Sequence, residues 1–79
     1  MANQSKSLWL RSSNGQKLQC QVNTDQPLVA FLKNKYALAM GTSPESLIMV
    51  FDGEKIQEQD TFDSLALDDD DIIDVYEAN

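Results

Sequence analysis

Asp68-Asp69-Asp70-Asp71-Ile72-Ile73-Asp74-Val75-Tyr76 decides how this chain folds. Four consecutive carboxylates repel one another and seek water, whereas the residues after them are β-branched or aromatic and suit a pleated, half-buried surface. The stretch reads as a solvated turn feeding a strand. A last strand in a small domain gains most as a central member paired on both edges, so the earlier segments are expected to assemble around it.

Working back from it, Leu47, Met49 and Phe51 alternate with Ile48 and Val50, which predicts a strand with apolar side chains on both faces. Asp52-Gly53 then makes a tight turn into a short segment at Lys55 and Ile56, and Thr61 to Leu65 suits one capped helical turn that carries Leu65 and Leu67 inward. A helix is predicted from Leu28 to Met40. Val29, Leu32, Tyr36 and Met40 recur at helical spacing, widened by Leu28, Phe31 and Ala39, with Lys33 and Asn34 outward. Thr24 or Asp25 is the expected cap, Pro27 sits near the first turn, Gly41 suits the left-handed terminator and Pro44 prevents resumption. Upstream, Leu8 and Leu10 alternate with Trp9 and Arg11, and Leu18, Cys20 and Val22 alternate with Gln19 and Gln21. Asn14-Gly15 between them marks a β-hairpin whose register the spacing leaves open.

Seventy-nine residues allow one domain with one modest core, here expected over residues 7–79 after a polar tail of residues 1–6. The net charge of −7 opposes approach to phosphate backbones and anionic lipid, so neither nucleic acid nor membrane is the expected partner. A basic protein is. One cysteine allows no internal disulfide and there is no apolar leader, which together predict an intracellular home. The chain has no His and no Gly-rich phosphate loop, and Cys20 falls on the inward face, so no catalysis and no cofactor are expected. Contiguous aspartates diverge and lack the spacing of a calcium loop, so no metal site is expected either.

Hairpin, helix, strand, turn and a last strand inserted beside the first predict an α+β, β-grasp (ubiquitin-like) fold, with a mixed sheet of about four to five strands packed on one helix. Ser46-Leu47-Ile48-Met49-Val50-Phe51-Asp52-Gly53-Glu54-Lys55-Ile56, Asp60-Thr61, Leu65 and Asp68 through Tyr76 closely resemble the second half of SUMO, without a gap from Gly41 to Tyr76. Pro27-Leu28 and Tyr36 to Gly41 resemble it too, with an intervening helix one residue longer. The chain ends Tyr76-Glu77-Ala78-Asn79, without the Gly-Gly tail that conjugation threads through an enzyme tunnel. It is similar instead to the C-terminal SUMO-like domains of the RENi family of genome-stability proteins. That resemblance implies a nuclear, non-conjugating module of the SUMO pathway, monomeric as an isolated domain, that docks on the basic back surface of the SUMO-conjugating enzyme. The alternatives are a SUMO-type modifier truncated before its Gly-Gly tail and a generic ubiquitin-like scaffold domain.

Alternation leaves Trp9, Ile48, Val50, Ile72 and Tyr76 on the sheet face away from the helix, with Trp9, Val50 and Ile72 expected as neighbours. A cluster of that kind suggests a partner surface. The candidate site joins this face, Trp9, Val50 and Ile72, to an acidic rim of Asp52, Asp68, Asp69 and Asp71, with Gly53 allowing close backbone approach. Asp68 and Asp69 are expected to be exposed and like-charged, so that reversing them barely changes folding. The groove beside the second strand, where SUMO receives extended SUMO-interacting peptides, has lost the strand's aromatic and lysines to Leu18-Gln19-Cys20-Gln21-Val22, which predicts weak binding there.

Overall fold

The computed structural model describes residues 5–78. Its elements are β1 (Ser5–Arg11), β2 (Lys17–Asn23), α1 (Leu28–Met40), a single 3-10 turn (Pro44–Ser46), β3 (Leu47–Phe51), β4 (Glu54–Lys55) and β5 (Asp71–Glu77). They form one five-stranded mixed sheet in the order β2-β1-β5-β3-β4, with α1 packed on one side. This is the β-grasp α+β arrangement. The last strand is central, parallel to β1 (Trp9 beside Ile72) and antiparallel to β3 (Met49 beside Val75). Ser5 and Lys6, expected in the tail, already pair with Asn23 and Val22, so β1 starts two residues early; the rest of that tail, residues 1–4, lies outside the described residues.

The hairpin register is Leu8 with Cys20 and Leu10 with Leu18. Gly15 donates its N–H to the Ser12 carbonyl at 3.0 Å and takes a φ of 93°, so of the Asn14-Gly15 pair the glycine alone is left-handed. Asp52 (φ 55°) and Gly53 (φ 80°) are both left-handed, the signature of the two-residue turn whose twist matches its flanking strands.

α1 has the predicted limits but not the predicted cap. Neither Thr24 nor Asp25 supplies a side-chain cap; Pro27 holds that position, and the Leu28 N–H reaches the Asp60 carbonyl at 2.9 Å, while Asp63 N–H reaches the Thr24 carbonyl at 3.2 Å. The helix start is therefore satisfied by the loop before β5, a partner far along the chain. Gly41 (φ 71°) ends the helix as expected and donates to the Ala37 carbonyl at 2.8 Å.

Leu8, Leu10, Leu28, Leu32, Leu47, Met49, Ile73 and Val75 are fully buried between sheet and helix, each contributing about 1.5–3 kcal/mol by leaving water. Within the helical stripe Ala37 is buried and Ala39 exposed, the reverse of the expectation for Ala39. Thr61 and Ser64 cap one another reciprocally (Ser64 N–H to Thr61 Oγ1, 3.0 Å; Thr61 N–H to Ser64 Oγ, 2.8 Å), and the turn they hold buries Phe62 and Leu67, with Leu65 only half-buried.

Candidate functional site

The face of the sheet opposite α1 carries the residues that alternate with the core. Trp9 and Ile72 are direct partners across β1 and β5, and Gln19 lies beside Trp9 on β2. The β3–β5 ladder ends at Val50–Asp74, and Asp52 stands in the turn just beyond β3. Trp9 and Ile72 form an apolar row, and Ile72 borders a hollow that Asp52 lines as well. Val50 belongs to the next row, level with Asp74 and Arg11, and meets Ile72 on the diagonal rather than directly. Trp9, Val50 and Ile72 are each half-buried.

The acidic rim is built from two turns. Asp52 and Gly53 are exposed at the β3–β4 reversal. A Cβ on Gly53 would meet nothing within 4 Å in the domain itself, and within the domain its positive φ accounts for the glycine. The second turn precedes β5. Asp71 N–H donates to the Asp68 carbonyl at 3.1 Å, Asp68 N–H donates to Asp71 Oδ2 at 2.7 Å, and Asp70 sits at φ 69°. Ser7 N–H donates to Asp69 Oδ1 at 2.7 Å, and Asp70 N–H donates to the Ser7 carbonyl at 2.7 Å. Asp69 therefore has structural duty, against expectation, as does Asp71, while the carboxylates of Asp52 and Asp68 make no hydrogen bond among the described residues.

An open hollow of about 460 Å³ joins the two turns, lined by Asp52, Gly53, Asp70, Asp71, Asp74 and Arg11 over Ile72 and Phe51. Arg11 and Asp74 are residues that the sequence reading left out of the site. Their Nε–Oδ1 distance is 2.7 Å, with 43% and 30% of the respective side chains exposed. The hydrogen bond to Asp74, and then its charge, raise the Arg11 pKa further above its already high value. Alternation places both on this face, since Arg11 has the parity of Trp9 and Asp74 that of Ile72; only the β1–β5 register shows that they touch. At the far end of the face Tyr76, 47% exposed, pairs with Ile48.

On the opposite flank, a groove of about 540 Å³ runs between edge strand β2 and α1, lined by Leu18, Cys20, Gln21, Phe31, Lys35 and Leu38 among others. The helix, not the strand, supplies its aromatic and its cation, with Lys35 Nζ 5.8 Å from the Phe31 ring centre. Cys20 is buried, and that burial pushes its thiol pKa up, with Lys35 a smaller opposing influence, which disfavours the thiolate. Among the described residues no group of three or more His, Cys, Asp or Glu is arranged to hold a metal ion, and no helix is long and apolar enough to cross a membrane.

Comparison with known proteins meets this geometry at the family level. The model of the Rad60-SLD family, described as "Ubiquitin-2 like Rad60 SUMO-like", matches residues 7–76. The chain belongs to this Rad60 SUMO-like family. A small ubiquitin-related modifier of Caenorhabditis elegans is 43% identical over 49 residues, a stretch that covers 62% of the present chain and 54% of that relative. The Rad60 SUMO-like match includes every residue of the open face and acidic rim named above, from Trp9 to Tyr76. It makes the chain a SUMO-like module.

Proposed function

We propose that this module binds protein without being conjugated, docking on the basic back surface of the SUMO-conjugating enzyme, and that it serves genome maintenance in the nucleus. The observation that carries the reading is the Trp9–Ile72 pair on the open face, with Ile72 bordering a hollow lined by Asp52, Asp70, Asp71 and Asp74. The apolar strip supplies area to bury, and Asp52 and Asp68 supply steering and charge-assisted hydrogen bonds to a basic partner. The resemblance to the RENi-family domains adds the identity of that partner. No catalytic step is assigned to the module: the buried Cys20 thiol is a poor nucleophile, and no histidine exists to activate it.

Calorimetric titration of the purified conjugating enzyme into the domain tests the reading. Asp68→Lys, paired with Asp52→Lys, is expected to weaken binding more than tenfold, because attraction becomes repulsion of ~1 kcal/mol or more per close pair. Asp68 suits the test because its carboxylate makes no hydrogen bond among the described residues. No binding by the intact domain at tens of micromolar, or equal affinity for both proteins, would remove the proposed site.

A further inference from the structure

Arg11 is the one base that lines the acidic hollow, and steering alone gives no reason for it. Every other charged group there, Asp52, Asp70, Asp71 and Asp74, is negative and would welcome a basic surface. A guanidinium in their midst opposes such a surface. Among the described residues its single hydrogen bond is Nε to Asp74 Oδ1, an edge-on contact that leaves both Nη groups with donors to spare. The backbone register fixes this arrangement, since Arg11 and Asp74 are direct partners across β1 and β5. The side chain remains 43% exposed on the same face as Trp9 and Ile72.

We propose that Arg11 is the specificity-determining residue of the docking face: Asp74 holds the guanidinium edge-on, and its free Nη groups donate to a carboxylate or main-chain carbonyl that the conjugating enzyme presents within its basic surface. The inference rests on the docking reading above and adds the polarity the partner must have at one point. A uniformly basic surface would cover Arg11 with like charge and leave its donors desolvated and unpaired, a cost set against what the surrounding carboxylates gain. A surface with an acceptor at that point gains a charge-assisted hydrogen bond instead. Arginine suits the task because its planar fork serves Asp74 with one edge and the partner with the other, which an ammonium on a flexible stem does less well.

The test compares the intact domain with Arg11→Gln and Arg11→Lys by calorimetric titration of the conjugating enzyme, with far-UV circular dichroism and thermal melting on each protein. Arg11→Gln takes the formal charge from −7 to −8. If Arg11 were a bystander, the more negative domain would bind a basic surface equally well or more tightly. The proposal expects the reverse: about tenfold weaker binding for Arg11→Gln and a several-fold loss for Arg11→Lys, which keeps the charge but loses the fork. Unchanged or tighter binding by Arg11→Gln overturns it, and if that variant fails to fold, unchanged binding by Arg11→Lys does so. Absence of binding by the intact domain would instead remove the docking reading, and this inference with it.

Discussion

Ser7 donates its backbone N–H to Asp69 Oδ1 and accepts at its carbonyl from Asp70 N–H, both at 2.7 Å, so the acidic turn grips the first strand as it delivers the last. Within one run of four identical residues the roles divide: Asp69 and Asp71 hold backbone amides, Asp70 supplies a left-handed φ of 69°, and Asp68 presents a free carboxylate. Asp69→Ala should therefore destabilise the domain by ~1 kcal/mol, the scale of one exposed charge-assisted hydrogen bond, whereas Asp68→Ala should be neutral. Urea unfolding of the two variants decides the point; equal midpoints would show that the Ser7 contact contributes nothing. Composition could not separate these residues, because the partner that distinguishes Asp69 lies 62 residues earlier in the chain.

At the scale of elements, α1 was legible to the residue because its limits are written locally, in Pro27 before it and Gly41 after it. What satisfies its first turn was not legible, since the acceptor is the main-chain carbonyl of Asp60, and any residue type can offer a carbonyl. Strand faces followed from alternation alone, so Trp9, Val50 and Ile72 were placed on the open side correctly. Trp9 and Ile72 are direct partners as neighbours should be, while Val50 meets Ile72 only on the diagonal, level with Asp74, and the Arg11–Asp74 contact went unseen because a register depends on loop geometry. Phe62 was missed as core because a capped turn has too few residues to show a period. The β2–α1 groove carries an expectation of its own. Its strand offers glutamines at Gln19 and Gln21, and its cation, Lys35, already sits over Phe31. An acid-flanked SUMO-interacting peptide should bind more weakly here than to SUMO in the same fluorescence titration. Comparable affinity would mean that Phe31 and Lys35 replace what the strand lost.

Over the whole molecule the charge is uneven. α1 and β2 contain no Asp or Glu and carry Lys17, Lys33 and Lys35, while two turns at one end of the open face hold Asp52 and Asp68 through Asp71. A basic partner is thus drawn to one end of a dipolar object rather than to a uniformly acidic one. Association with the conjugating enzyme should slow as salt rises, with the dissociation rate nearly constant, because exposed charges act mainly on encounter and are screened beyond about 10 Å at 0.1 M. Stopped-flow measurement over a salt series checks this; a change confined to the dissociation rate would contradict it. The parallel union of β1 and β5 has a mechanical consequence as well. Leu8 to Arg11 lie beside Asp71 to Asp74, and tension applied at the two chain ends would pull these strands in opposite directions along their length. Their hydrogen bonds would then share the load and fail together rather than unzip one by one, so the domain resists a pull along its chain ends while keeping its open face intact.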